Sequence, residues 1–392
     1  MAIDAVTIKN LAAENFMLAS GVRRELHAIP EVSGEEHLTT AYISRFLSER
    51  GIVHEKTSSG TGILAWIGEG EDNVLLRADI DALPVCEETG LPWASGRPGF
   101  MHACGHDVHA AILLAVAHIL SSGAFESPGR TVLLFQPAEE GRGGMRTLIR
   151  DGLLERIAPR AAFALHVWPG LPAGHVALAD GAVMAGVNLV RVLFTGQGGH
   201  GSYPHLAADT IAAAGAFVSG ANEAASRRVD PLRNYVVSFG SIHGGSAPNV
   251  IPSAVEVQGT MRWYDGATGA ALASAIRDAA SSAALSYRAG FKVEIDEGYI
   301  PVVNDREATG KVGEALVGVL GAEKVGVAQP SMGSEDMGFM LDLVPGTYMQ
   351  LGAGDVGAGA NPLHTSCFCP EESCLETGIA SMLAAMAALG GL

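Results

Sequence analysis

Basic residues are scarce in this chain: 25 Lys and Arg stand against 42 Asp and Glu in 392 residues, a net charge of −17. That balance speaks for solubility and against nucleic acid or an anionic membrane surface as partner. It still permits an anionic small molecule to dock on a local cation. Cysteine is scarce and odd in number: Cys86, Cys104, Cys367, Cys369 and Cys374. An odd set in a long chain argues against a disulfide framework and directs attention to metal binding or nucleophilic chemistry. No run of about 18 apolar residues occurs, so no membrane span is expected. Residues 1–10 include Asp4 and lack a basic stretch leading into an apolar one, and a cytoplasmic protein without a signal peptide is expected. Internal repeats and low-complexity tracts are also missing.

Hydrophobic residues make up 48% and charged residues 17%, the mark of a globular chain. Its length suits two or three domains with a substantial core. Residues 12–27 read as a helix that Pro30 stops, and Ser33-Gly34-Glu35-Glu36 reads as the cap of a second helix ending near Gly51. Near-continuous apolar runs at 62–67, 74–80, 131–138 and 161–167 predict buried strands, with helices at 108–121 and 144–154 between them. Such alternation predicts an α/β sheet covered on both faces.

The middle of the chain has another rhythm. Strands are expected at 187–195, 235–243, 254–262 and 291–296, and helices at 206–228 and 266–289. This β-α-β-β-α-β order is the signature of a ferredoxin-like module. Val255, Val257, Gly259 and Met261 alternate with Glu256, Gln258, Thr260 and Arg262, so one face packs and the other is polar. From Asp305 the α/β pattern returns, with a helix to Leu320, a strand at 347–352 and a closing helix from Glu372. The expected layout is a catalytic domain in two parts, 1–184 and 298–392, with an inserted lid at 185–297. One continuous large sheet is the alternative.

Four segments gather metal-ligand residue types. They are His102-Ala103-Cys104-Gly105-His106-Asp107, Gln136-Pro137-Ala138-Glu139-Glu140-Gly141, Leu165-His166-Val167-Trp168-Pro169 and Pro362-Leu363-His364-Thr365. Cys104 and His106 are close enough in a loop to share a cation. Glu139 and Glu140, adjacent after an apolar strand, repel each other unless a proton or a cation intervenes. Each segment alone has an ordinary reading: a loop pair, a solvated turn, a satisfied core histidine. Together they supply one sulfur, several imidazoles and a carboxylate at strand-end loops, where α/β sheets form sites. A metal there lowers the pKa of water toward 7, and a free carboxylate can shuttle the proton. Of the two glutamates, one would ligate and one would shuttle; spacing does not say which.

These segments, together with Leu76-Arg77-Ala78-Asp79-Ile80-Asp81-Ala82-Leu83-Pro84 and Leu26-His27 with Pro30-Glu31, resemble the aminoacylase/carboxypeptidase family of dinuclear metallohydrolases. The branch most similar holds hippurate hydrolases, N-acyl-amino-acid amidohydrolases and indole-acetyl-amino-acid hydrolases. The resemblance implies an aminopeptidase-like catalytic domain, a mixed sheet covered by helices, with a ferredoxin-like lid inserted. It implies two divalent cations held by Cys104, His106, Glu140, His166 and His364, with Glu139 as general base and acid. Asp79 and Asp81, where other branches place a His-x-Asp ligand pair, become supporting residues or simple strand-end caps. His200 in Gly198-Gly199-His200-Gly201 resembles a histidine that reaches across a dimer to the scissile carbonyl, and a homodimer through the lid is implied. Asn249 and Arg262 match substrate-binding positions, the guanidinium suiting an α-carboxylate. Glu335 and Asp336 match a segment near the site without a defined role.

The expected reaction is cleavage of an N-acyl amino acid, a hippurate-like, N-acetyl or indole-acetyl conjugate, to an acid and a free amino acid. A dipeptide, N-acetyl-diaminopimelate or an aromatic amino group is the alternative substrate, and a non-catalytic metal-dependent binding protein the remote one. The mixed N/O/S ligand set suits zinc, manganese, cobalt or nickel. After His364 the chain reads Thr365-Ser366-Cys367-Phe368-Cys369 where this branch more often has Ser-Pro. Cys367 and Cys369 read as packing residues or adventitious ligands, and the Gly-rich stretch 352–360 as a mobile loop.

Overall fold

The computed structural model describes residues 4–390 apart from 71 and 128. Helices α1 (Ala5–Glu14), α2 (Phe16–His27) and α3 (His37–Ser48) precede strands β1 (Val53–Lys56), β2 (Ile63–Ile67) and β3 (Asn73–Asp79). Helix α4 (His106–Ser121), β4 (Arg130–Gln136), β5 (Pro159–Pro169) and β6 (Val176–Leu178) follow. Next come β7 (Gly186–Thr195), α5 (Thr210–Arg228), β8 (Tyr235–Gly244), β9 (Ala254–Trp263), α6 (Gly266–Ser286) and β10 (Gly290–Tyr299). The chain closes with α7 (Arg306–Leu320), β11 (Val325–Val327), β12 (Gly346–Gly354) and α8 (Cys374–Leu389). Among the described residues no helix is long and apolar enough to cross a membrane.

Two compact units result. The first takes residues up to Val183, Val302–Gln329 and Asp336–Leu392. Its eight-stranded mixed sheet runs β1-β2-β4-β3-β5-β12-β6-β11. The central run β4-β3-β5-β12 is parallel, and such strands need cover on both faces. That is why β3 and β12 are buried at every residue. Helix α4 is almost wholly apolar past its first turn, and nearly all of it is buried. It joins α1, α2, α3, α7 and α8 in one core cluster against the sheet.

The second unit comprises Met184–Pro301 and Pro330–Glu335. Its antiparallel sheet has the order β8-β9-β7-β10, with α5 and α6 packed on one face. Val255, Val257 and Met261 are buried in that packing, and Glu256, Gln258 and Arg262 point the other way. The last strand passes residue 296, because a bulge between Glu297 and Tyr299 lets Tyr299 still pair with Val187.

Three local expectations fail for physical reasons. The opening helix is broken at Asn15, whose side-chain Nδ2 donates to Leu11 O at 2.8 Å and competes with the backbone ladder. Glu36 does not cap α3. The cap comes from Glu31, whose Oε2 accepts from Leu38 N and Thr39 N at 2.8 and 2.9 Å. The stretch from 352 is strand as far as Gly354, followed by a short 3-10 turn, Gly357–Ala360. Glycine is required there for close approach, since a Cβ on Gly352 would lie 2.0 Å from Pro172 O.

Candidate metal centre

In the parallel register Asp79, the end of β3, pairs with Gln136, the end of β4. His166 lies in β5 two residues beyond Ala164, the partner of Arg77. Loops leaving these strands therefore meet at the carboxyl edge of the sheet. The 102–107 segment reaches the same edge as it enters α4, which begins at His106 after Gly105 turns the chain at φ 82°. His364, at φ 63°, arrives from the loop before α8, its N–H donating to Ala103 O at 2.8 Å.

The structure brings together the five side chains nominated as ligands. Cys104 Sγ lies 3.4 Å from His166 Nε2 and 3.3 Å from His364 Nε2. Glu140 Oε1 lies 3.2 Å from His364 Nε2 and 3.8 Å from His106 Nε2. Cys104, His106 and Glu140 each offer a ligand atom within 4.8 Å of the others. Glu139 is buried next door, and one of its carboxylate oxygens lies within 4.8 Å of one from Asp336.

Surrounding hydrogen bonds turn the imidazoles toward the cluster. His106 Nδ1 donates to Asp81 O at 2.8 Å, and His166 Nδ1 donates to Val167 O at 2.8 Å, which leaves both Nε2 atoms facing inward. Asp81 does more than cap a strand: its Oδ2 also accepts from Glu140 N at 2.9 Å and Ser33 Oγ at 2.7 Å. Asp79 Oδ1 accepts from His109 Nδ1 at 2.5 Å, and Oδ2 accepts from Arg77 Nη1 at 2.7 Å.

Electrostatically the cluster calls for positive charge. Burial opposes protonation of His106, yet the carboxylates of Asp79, Asp81 and Glu140 raise its pKa to about 10. Burial and the charges of Glu140 and Glu139 push the Cys104 thiol well above its usual value. Burial, reinforced by His109, lowers His166 to about 3, so that ring is neutral and free to offer a lone pair to a cation. His106 Nε2 is buried without a hydrogen-bond partner, and Glu140 Oε1, also buried, has only the His364 ring within reach at 3.2 Å. Leaving such atoms unsatisfied costs about 1–3 kcal/mol each. A cation between them removes the penalty, and one sulfur, three imidazoles and a carboxylate fit a first-row divalent metal.

Sequence reasoning gave no role to several residues that hold this arrangement. His109 donates to Asp79 and accepts Val167 N–H at 2.9 Å through Nε2, tying α4 to β5 beside His166. Its position three residues after His106, on the same helical face, was a usable signal. Arg77 is fully buried and bridges Asp79 and Asp336. Asp336 also accepts from Gln136 Nε2 at 2.8 Å and Met145 N at 2.8 Å, so its role is to lock this corner of the sheet. Arg23 and His27 grip Asp107, the residue after His106, at 3.2 and 2.9 Å. Burial works against a charged His27, but Asp107 and Glu87 raise its pKa to about 9.

His200, Asn249, Arg262 and Glu335 belong to the second unit. His200 pairs with Val250 across a short ladder, and Gly201 N donates to Asn249 O at 2.8 Å. Ser202 N donates to His200 Nδ1 at 3.0 Å, which leaves Nε2 as the ring's donor. Arg262 is half-buried and donates through Nη1 to Met332 O. Cys367 is exposed, with its sulfur 3.8 Å from Glu88 O, and Cys369 lies 3.9 Å from Arg23 Nη2.

Comparison with known proteins agrees with this picture. The model of peptidase family M20/M25/M40 matches residues 75–388. The N-acetyl-L-cysteine deacetylase of Bacillus subtilis (strain 168) is 37% identical over 359 residues, covering 91% of this chain and 84% of that protein. The N-acetyldiaminopimelate deacetylase of Oenococcus oeni is 35% identical over 367 residues, 91% of this chain and 94% of its own. A crystal structure described as a dinuclear metal-binding peptidase from the M20 family, from Bacillus subtilis, has a TM-score of 0.83 at 30% identity, covering 96% of this chain and 98% of that one. With well over half its length inside the family model and relatives this similar from end to end, the chain is a hydrolase belonging to peptidase family M20/M25/M40.

Proposed function

We propose that the chain is a metal-dependent amidohydrolase that cleaves N-acyl amino acids, N-acetyl, N-benzoyl or indole-acetyl conjugates, to a carboxylic acid and a free amino acid. The observation that carries the reading is the meeting of Cys104, His106, Glu140, His166 and His364 with a second buried glutamate, Glu139, beside them. The five would hold two divalent cations, zinc or manganese foremost and cobalt or nickel as substitutes. Bound there, the metals supply Lewis acidity that polarises the scissile carbonyl and makes water acidic enough to react at neutral pH. Glu139 takes the proton from that water and delivers it to the departing amine nitrogen. His200 Nε2–H donates to the developing oxyanion, and the reading includes a cytoplasmic homodimer in which each protomer lends this ring to its partner. The two relatives both remove an acyl group from an amino acid by name, which favours an N-acetyl substrate.

Arg262 and Asn249 bind the α-carboxylate. Arg262 is half-buried, and a backbone carbonyl is its acceptor, which leaves guanidinium donors for an anion. Replacing Arg262 with Ala is expected to raise KM for N-acyl amino acids about 10–100-fold, the worth of a charged hydrogen bond. A substrate whose α-carboxylate is amidated should show little change. Equal losses on both substrates would remove Arg262 from carboxylate recognition.

The general test is a hydrolysis screen of the full chain, stripped and reloaded with zinc, manganese, cobalt or nickel. N-acetyl, N-benzoyl and N-indoleacetyl amino acids are offered beside dipeptides. Release of free amino acid from an N-acyl substrate is expected. Turnover of dipeptides alone would replace the reading with that of a dipeptidase.

A further inference from the structure

Glu36 is fully buried, and its side chain does not cap α3. Its Oε1 accepts from Gly34 N at 2.8 Å and from Ala138 N, 102 residues along the chain, at 2.8 Å. Its Oε2 has no hydrogen-bond partner. Ala138 immediately precedes Glu139 and has φ 60°, ψ 40°, a left-handed conformation that residues other than glycine keep only where surroundings impose it. The turn is cornered from below, since Gly144 N donates to Ala138 O at 3.0 Å and a Cβ on Gly144 would lie 1.9 Å from Pro137 O.

The same short segment grips the other side of Glu139. Ser33 Oγ holds Asp81 Oδ2 at 2.7 Å, and that oxygen accepts Glu140 N at 2.9 Å. The amides flanking Glu139 are thus both fixed by carboxylates anchored at residues 33–36. Burial raises the pKa of Glu36, and in either protonation state an acceptor oxygen remains for Ala138 N. Oxygen acceptance, more than negative charge, is what the turn demands.

We propose that Glu36 is a positioning residue for proton transfer: by accepting the Ala138 N–H it holds the left-handed turn that aims the Glu139 carboxylate, touching neither substrate nor metal. The inference rests on the reading of Glu139 as general base. It predicts an unusual hierarchy among variants of the full-length, metal-loaded enzyme. Glu36→Leu, which has no acceptor, lowers kcat about 10–100-fold, while KM and metal content stay within about twofold of the parent. Glu36→Gln, which keeps an acceptor oxygen, stays within about threefold in kcat. Because Glu36 acts through Glu139, adding Glu36→Leu to Glu139→Gln causes no further loss.

Unchanged kcat in Glu36→Leu overturns the proposal, as does a Glu36→Gln variant as impaired as Glu36→Leu. Losses that multiply in the double variant overturn it too. Should Glu36→Leu fail to fold, Glu36→Asp, whose carboxyl is too short to reach Ala138 N, takes its place under the same criteria. Glu139→Gln by itself tests the underlying reading: full activity there defeats the general base, whatever the Glu36 variants do.

Discussion

Replacing Glu139 with Gln is expected to lower kcat about a thousandfold or more, with metal content at the parent level and KM little changed. General acid–base assistance is typically worth 10²–10⁴-fold, so the loss corresponds to ~4 kcal/mol of activation free energy. Gln has the shape of Glu and cannot carry the proton. Glu139 is 7% exposed, so bulk water is poorly placed to substitute for it. The companion Glu140→Gln should behave differently. Its carboxylate faces His106 and His364, and loss of charge there should lower metal content together with activity. Metal analysis and kinetics on the two adjacent variants separate the roles. Substantial turnover by Glu139→Gln, or metal loss equal to that of Glu140→Gln, would assign the shuttle elsewhere.

Exhaustive chelation is expected to abolish hydrolysis and to lower the thermal midpoint, with both restored when a divalent cation returns. The structural reason is the spread of the five side chains along the chain, in the loop at 104–106, at 140, in β5 and at 364. A cation joins segments that otherwise present like charges and unsatisfied atoms to one another. Binding to the folded state alone stabilises it by about 4 kcal/mol at a thousandfold excess over Kd. For a unit of this size that is roughly 10 °C in Tm. Calorimetry of stripped and reloaded protein measures the shift, and the same samples give activity. Full hydrolysis by protein shown to be metal-free would sink the metal-dependent mechanism. An unchanged midpoint with lost activity would mean that the loops are held without the cation.

Much of the fold was readable in the chain because the relevant signals are local. Four apolar runs announced the central strands, and alternation along 254–262 announced a sheet with one covered face. The β-α-β-β-α-β order by itself places the module in its class. The short strands toward the ends of the sheet were not visible: β1 is a brief and mostly polar stretch, and β6 and β11 have three residues each, too few for a period to register. The helix expected at 12–27 runs across a break at Asn15 and omits the turns from Ala5, because periodicity ignores the side-chain bond from Asn15 to Leu11 O. The cap of α3 was misassigned because the capping oxygen belongs to Glu31, outside the usual window of one turn.

At the site, the ligand types and the neighbourhood of strand ends could be named from residue chemistry and resemblance. Their supports could not. Arg77 and Asp336 act through partners up to 259 residues distant, which no local pattern marks, and His109 left only its place one turn after His106 as a trace. What composition and order settled is the chemistry on offer: a thiol, several imidazoles, paired carboxylates, and strands that carry them to one edge. Which glutamate of the pair faces Cys104 and His106 was left to packing. The left-handed turn at Ala138, held by a carboxyl from the start of α3, aims Glu139, while Asp81 Oδ2, accepting from Glu140 N, holds Glu140 toward the cluster. Side-chain identity is written residue by residue, whereas direction depends on hydrogen bonds that exist only once distant segments have met.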